Sequence, residues 1–420
     1  MFGLSKLIIS KIENLIMKKI LHVSERGDGG GGESVFRESI VLFQQFDLSN
    51  THYTVCKKSE NLPFKLDFEF QEKMRPLDFI YSFSNKKRMK MILEEIKPDV
   101  IHLHHYGNLS PSILHSLFSY KMKNEKSKII QTVHTFQYSC SHQAAYDYNK
   151  MKRCLDCAGV HYKTKIFYRK CSRAGFFHST AKGVNSIITH YFYKKGLVDT
   201  IIVPSDFIKE AILLNKFYTN KEIKVIRNPI FNDFEKQNKI AKENNIVYFG
   251  RLSEEKNIMF LIKSFILFVR KNSSDYKLLI IGDGIEKEVL QKYVLQENMR
   301  ERILFLPFMS QEGLKKYLEV SKISIMTSKC FENAPMMMIE SFNYNIIPIV
   351  ANHGGMKEMA SKLNFGLLFE SENYESLVNE IKRATSDYQT LINEKPKLEA
   401  QIRDLFSKSI YYNQLTKIYS

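Results

Sequence analysis

Short apolar runs alternate with helical patterns in two successive sets along these 420 residues, which points to an α/β protein of two Rossmann-like, doubly wound domains facing a central cleft. Three observations carry that reading. Each set opens on a buried strand that runs into a glycine-bearing turn: Ile20-Leu-His-Val-Ser24 before Gly29-Gly-Gly-Gly32, and Ile246-Val-Tyr-Phe-Gly250 before Arg251. The length suits two domains of ordinary size better than one. A polar stretch, 231–245, separates the two sets. The domains are therefore placed at residues 1–235 and 246–404, with an amphipathic helix at 405–420.

A content of 44% hydrophobic and 25% charged residues is that of a globular chain. No window reaches eighteen consecutive apolar residues, so no spanning helix is expected. The net charge of +17 favours an anionic partner. No nucleic-acid fold signature is present and the basic residues are not interleaved with aromatics, so nucleic acid is excluded and an anionic membrane surface is preferred. A generally Lys-rich composition is the competing explanation. In residues 1–16, Leu4, Leu7, Ile8, Ile12, Leu15 and Ile16 recur at helical spacing around Lys6 and Lys11, as in an interfacial helix. Translation starting at Met17, directly before the first strand, is favoured over that helix.

In the first half, a strand, a glycine loop (Gly30 and Gly31 at its centre) and a helical pattern over 34–46 form a unit that lets backbone approach a phosphate. No Gly-Lys-Ser/Thr follows, so it is not a P-loop. Two later strands end in histidines: Val100-Ile-His-Leu-His-His105 and Lys128-Ile-Ile-Gln-Thr-Val-His134. His134 ends its strand at the crevice and is the better candidate; His104 and His105 are acceptor-side or structural. Cys140, Cys154, Cys157 and Cys171 then fall within 32 residues of one another. With no secretory signal, a structural zinc outranks disulfides, and free thiols remain the alternative. Eight basic residues between Lys150 and Arg173 face one acidic residue, Asp156, as either a patch for anionic lipid or a solvated face. Ser205 reads as a helix cap.

The second half opens with Gly250-Arg-Leu-Ser-Glu-Glu-Lys-Asn257. Arg251 at a strand end and Lys256 before the next helix could reach one diphosphate, the guanidinium as a fork and the ammonium as a point charge. Gly282-Asp-Gly284 ends the next strand, but Lys287 stands where a dinucleotide fingerprint needs its third glycine. The strand after it ends at Pro307, and residues 323–326 make another. The segment 328–341 follows, with Glu332 in its loop, Pro335 suited to a first helical turn and Glu340 inside the helix. The free N–H groups of Met336, Met337 and Met338 would favour an anion between those two carboxylates.

Glu332-Asn-Ala-Pro335…Glu340 resembles the Glu-Gly-Phe-Pro…Glu motif of the retaining glycosyltransferases of family 4, with Asn333 and Ala334 as departures. Gly250-Arg-Leu…Lys256-Asn257 resembles the same family's Gly-Arg-Leu-x-x-x-Lys-Gly, and Asp28-Gly-Gly-Gly-Gly-Glu33 its Gly-Gly-x-Glu opening. The resemblance runs from Met17 over nearly the whole chain. It implies the GT-B architecture and metal-independent transfer, with retention, from a nucleotide diphosphate sugar to a surface-polysaccharide or lipid-linked acceptor at the cytoplasmic membrane face. In that scheme Arg251, Lys256, Met336 and Met337 hold the diphosphate, with Gly30 and Gly31 reaching it from across the cleft. Glu340 holds the ribose and Pro307 lies near the base. Glu332 and His134 flank the sugar. The family also implies that the last helix crosses back to the first domain, and a subset of it carries a similar four-cysteine cluster. A nucleotide-sugar epimerase, a dehydrogenase and a non-catalytic binding protein are the alternatives.

Overall fold

The computed structural model describes residues 17–27, 29–58, 62–71, 76–230, 240–393 and 395–420. The two alternatives for residues 1–16, Asp28 of the glycine loop and most of the expected domain boundary (231–239) fall outside these residues. Among the described residues no helix is long and apolar enough to cross a membrane.

Strands β1 (Lys19–Val23), β2 (Thr51–Lys57), β3 (Phe68–Phe70), β4 (Val100–Leu103) and β5 (Lys128–Thr132) come first. A short antiparallel ribbon of β6 (Tyr146–Asp147) and β7 (Lys152–Arg153) follows, then β8 (Thr200–Val203) and β9 (Glu222–Val225). All but the ribbon form one parallel sheet in the order β3-β2-β1-β4-β5-β8-β9. The second sheet is built from β10 (Asn245–Phe249), β11 (Lys277–Ile281), β12 (Ile303–Leu306), β13 (Ile323–Met326), β14 (Ile347–Ala351) and β15 (Leu367–Phe369). It is also parallel, in the order β12-β11-β10-β13-β14-β15. Both orders reverse beside the first strand, between β1 and β4 and between β10 and β13. At such a point the loops leaving the carboxyl ends diverge and open a crevice.

Helices cover both faces, which is why strands such as Ile323-Ser-Ile-Met326 and Ile347-Pro-Ile-Val-Ala351 are buried at every position. The first helix spans Gly31–Phe46, three residues longer than the sequence pattern over 34–46. Gly31 and Gly32 are therefore its first turn rather than part of a loop. The C-terminal segment is two helices, Lys395–Phe406 and Lys408–Tyr419, broken at Ser407, whose hydroxyl accepts the Ile410 N–H (3.4 Å). The second of them packs Tyr411, Leu415, Ile418 and Tyr419 into the first domain's core against Ile20, Val35, Phe43 and Val100. The Tyr419 hydroxyl meets His102 Nδ1 at 2.6 Å, and Tyr411 meets Ser39 at 2.8 Å.

A latch joins the domains behind the cleft. Glu358 accepts the N–H groups of Asp206 (3.0 Å) and Phe207 (2.7 Å) at the start of the helix Asp206–Leu213 and pairs with Arg227 (3.0 Å). Ser205 caps that helix, accepting from Ile208 N.

Candidate active site

The loops after β10 and β13 meet because those strands flank the second switch point. They carry Lys256 and Glu332, whose side chains form an ion pair. The Ser328 hydroxyl donates to the same Glu332 oxygen (2.6 Å). Burial alone would raise the Glu332 pKa, but the charge of Lys256 prevails, with hydrogen bonds from Lys256 and Ser328, and holds it below the usual carboxylate range. Burial alone would lower Lys256; the Glu332 charge prevails there too and holds it above the usual lysine value. Both groups are therefore charged at neutral pH. Arg251 is exposed beside them and makes no ion pair among the described residues.

Backbone geometry fixes these loops. A Cβ at Gly282 would lie 1.9 Å from the Gly250 carbonyl oxygen, and one at Gly284 would lie 2.1 Å from that of Leu252. The Gly-x-Gly turn thus serves a crossing of two loops beneath Arg251, with Leu252 N–H bound to Asp283 O at 2.8 Å. Asn257, which replaces the family's glycine, is left-handed (φ +58°), a conformation asparagine tolerates. The Glu332 loop rests on the start of the helix Gly354–Leu363: Gly355 N–H donates to Glu332 O at 2.9 Å, and a Cβ at Gly355 would come within 1.8 Å of Asn333 O.

Asn333 crosses the cleft. Its Oδ1 accepts the Ser205 hydroxyl (2.8 Å) and its Nδ2 donates to Val133 O (3.4 Å). The residue that departs from the family motif thus ties the donor-side loop to the opposite domain, next to His134.

Pro335 is the N-cap of the helix Met336–Asn343 rather than part of its first turn. One expectation is corrected here. Met338 N–H is bound to Pro335 O (3.0 Å), so only Met336 and Met337 have N–H groups without a backbone acceptor. Glu340, the fifth residue of the helix, makes no hydrogen bond or ion pair with the described residues, and burial pushes its carboxyl up to about 7.

The first domain meets this helix end directly. A Cβ at Gly31 would lie 3.3 Å from Met336 Cγ, and one at Gly32 would lie 3.1 Å from His134 Cβ. The glycines let the first helix start close against both. Gly30, its N-cap, is exposed. His134 follows β5, its Nε2 is buried without a partner, and burial pulls its pKa down to about 3, so the ring is neutral. Pro307 is exposed just past β12, on the same carboxyl edge.

His105 lies 3.4 Å from Glu25, at the mouth of the first crevice. His104 is buried with both ring nitrogens unpartnered. His22, His102 and His104 are the one group of three possible metal ligands among the described residues whose ligand atoms all lie within 4.8 Å of one another. Yet His102 is already engaged by Tyr419 and Thr132 (2.7 Å), and His22 Nε2 by His52 (2.9 Å), so the group reads as a hydrogen-bonded core ladder. Sequence reasoning missed this ladder.

Cys140, Cys154, Cys157 and Cys171 line one cavity as free thiols. Burial pushes Cys157 up to about 11 and Cys171 up to about 12. A zinc ion about 2.3 Å from each sulfur would bring the sulfurs to roughly 3.8 Å from one another. Four thiols around one small cavity are a donor set that suits such a tetrahedron. The basic stretch beside them is smaller than its composition suggests. Lys163 is buried against His190, Arg169 pairs with Asp156, and Arg153 and Arg173 reach into the second domain.

The family model described as Glycosyltransferase Family 4 matches residues 68–233, and that described as Glycosyl transferases group 1 matches residues 229–403. A Campylobacter jejuni N-acetylgalactosamine-N,N'-diacetylbacillosaminyl-diphospho-undecaprenol 4-alpha-N-acetylgalactosaminyltransferase is 26% identical over 54% of this chain; the chain spans 61% of that relative's length, and 44% and 37% of two others. An Escherichia coli UDP-Gal:alpha-D-GlcNAc-diphosphoundecaprenol alpha-1,3-galactosyltransferase is 22% identical, covering 88% of each chain. The crystal structure of Anabaena HepE in complex with UDP and glucose superposes with a TM-score of 0.66 at 14% identity, over 96% of this chain and 99% of that one, which establishes the fold as GT-B. Two adjacent family models together span residues 68–403, and the chain belongs to glycosyltransferase family 4.

Proposed function

We propose that this protein transfers a hexose from a nucleotide diphosphate sugar to a lipid-linked or polysaccharide acceptor, with retention at the anomeric carbon and without a catalytic metal. The observation that carries the reading is the Lys256–Glu332 pair beside an exposed, unpaired Arg251. Breaking the sugar–phosphate bond gathers negative charge on the leaving diphosphate. Arg251, Lys256 and the Met336 and Met337 N–H groups are fixed positive groups aimed at that charge. Glu332 would then turn from Lys256 towards the sugar hydroxyls, Glu340 would accept from the ribose, and His134 would orient the sugar from the other domain. The acceptor hydroxyl would attack from the face that the leaving group vacates, passing its proton to the departing phosphate oxygen, within a cleft that excludes water. Relatives named for undecaprenyl-diphosphate-linked acceptors support a lipid-linked acceptor, and with it a place at a membrane surface.

The test is to incubate purified protein with UDP-, GDP- and ADP-sugars and a diphosphate-linked lipid acceptor, with and without EDTA, and to read the product's anomeric configuration by NMR. Transfer with retention, unaffected by EDTA, is expected. Inversion, or loss of transfer with EDTA in a sample whose melting temperature is unchanged, would overturn the mechanism. The four-cysteine cavity is proposed as a structural zinc site. Metal analysis should find about one zinc per chain, and chelation should lower the melting temperature.

A further inference from the structure

The cysteine-bearing segment 140–173 reaches across the cleft. Arg153, at the end of β7 and directly before Cys154, sends Nη1 to Ser371 Oγ (3.1 Å) and Lys329 O (3.4 Å), with its guanidinium 5.9 Å from the Phe331 ring centre. Arg173, two residues after Cys171, pairs Nη2 with Glu255 Oε2 (2.5 Å), and its guanidinium lies 4.9 Å from the centre of the Tyr148 ring. Both arginines therefore end on the loops that carry the charged pair.

Those loops are bonded to one another at the same place. The Glu255 carboxylate is 7% exposed, and its other oxygen accepts the Ser253 hydroxyl (2.8 Å). The Glu255 carbonyl accepts the Lys329 N–H (2.7 Å), and the Thr327 hydroxyl donates to Lys256 O (3.0 Å). Arg173 holds the residue next to Lys256, and Arg153 holds the segment three residues before Glu332. Removing Arg173 would leave a buried carboxylate with a single hydroxyl partner, and such a group relaxes by moving its own loop.

We propose that Arg153 and Arg173 are positioning residues for the donor phosphates, acting from the first domain through Lys329 and Glu255 to hold the loops of Lys256 and Glu332 in place when the domains are together. This rests on the reading of Lys256 as a donor-phosphate contact. It gives the inserted segment a role in the reaction, because both arginines lie on it.

Two measurements test it. Hydrogen exchange without ligand should speed up across residues 253–257 and 327–332 in Arg173→Ala and Arg153→Ala, and Arg173→Lys should restore part of the protection. Calorimetric titration with UDP, GDP and ADP should show that each alanine variant binds the nucleotide preferred by the wild type about tenfold more weakly, with donor KM raised and acceptor KM unchanged. If Lys256→Ala abolishes nucleotide binding while both arginine variants bind and exchange as the wild type does, the clamp is wrong and the donor site stands. If Lys256→Ala binds as the wild type does, the donor assignment falls and the positioning role falls with it. Faster loop exchange in the arginine variants would then still report the contact itself.

Discussion

The crevice between β1 and β4 and that between β10 and β13 occupy the same place in the same strand order, yet their chemistry is opposite. The second is lined by charge held in place: Lys256 against Glu332, Arg251 exposed beside them, and an open helix end. The first has buried rings behind it that burial keeps neutral, His102 and His104 well below the usual histidine value and His134 at about 3, with Glu25 and His105 paired at its mouth. A shared topology supplies the position of a site, and the residues at the strand ends decide what it can hold. The charged crevice suits a diphosphate. The neutral one suits hydroxyl groups and exclusion of water.

The largest expected effect comes from discharging the second crevice. Lys256→Ala should lower donor turnover by about 100-fold or more, the range seen when a fixed positive group facing developing charge is lost. Near-normal kcat/KM would erase the contrast between the crevices. Removing a neutral ring from the first should do less. His134→Ala should lower kcat about tenfold with donor KM little changed. At saturating donor, His134 should add no inflection to kcat between pH 5 and 9, because this ring stays neutral there.

Glu340 gives a finer test. Its raised pKa means that it favours the folded state fully below the unfolded value of about 4.3, and that this contribution is lost as pH rises through about 7. The carboxylate is also the form that can accept two ribose hydroxyls, so nucleotide affinity should rise across the same interval. Glu340→Gln should flatten both curves; an unchanged pH dependence of binding would remove Glu340 from the donor site. The smallest effect is expected at Tyr419→Phe, which deletes the bond to His102 at a cost of about 1 kcal/mol in stability. Thermal melting should register it, with transfer rates unaltered.

These two crevices were also unequally legible in the sequence. Arg251, Lys256 and Glu332 follow short buried strands as charged residues at turns, where no packing requirement calls for them, so identity and spacing were informative. The histidine ladder lies at inward strand positions, where His22 and His102 interrupt apolar runs without any period of their own. Their partners Tyr419 and His52 are set by pairings distant in sequence. The eight basic residues at 150–173 show the same difficulty. Composition read them as one patch, yet Arg173 is matched to a carboxylate 82 positions away, a pairing no local pattern encodes. The strand order was readable because apolar runs record burial. The glycines at 31 and 32 were assigned to a loop because helix propensity disfavours them, and close approach to Met336 and His134 overrides that preference.

The docking of Lys408–Tyr419 into the first domain also bears on how the protein is made. Ile20, Val35, Phe43 and Val100 leave the ribosome early, but the side chains that cover them, Tyr411 to Tyr419, follow only after the entire second domain. At typical elongation rates that interval is roughly 15–60 s. Throughout it the first domain shows an uncovered apolar face. Nascent chains halted before residue 411 should therefore recruit holdase chaperones, and completed chains should release them.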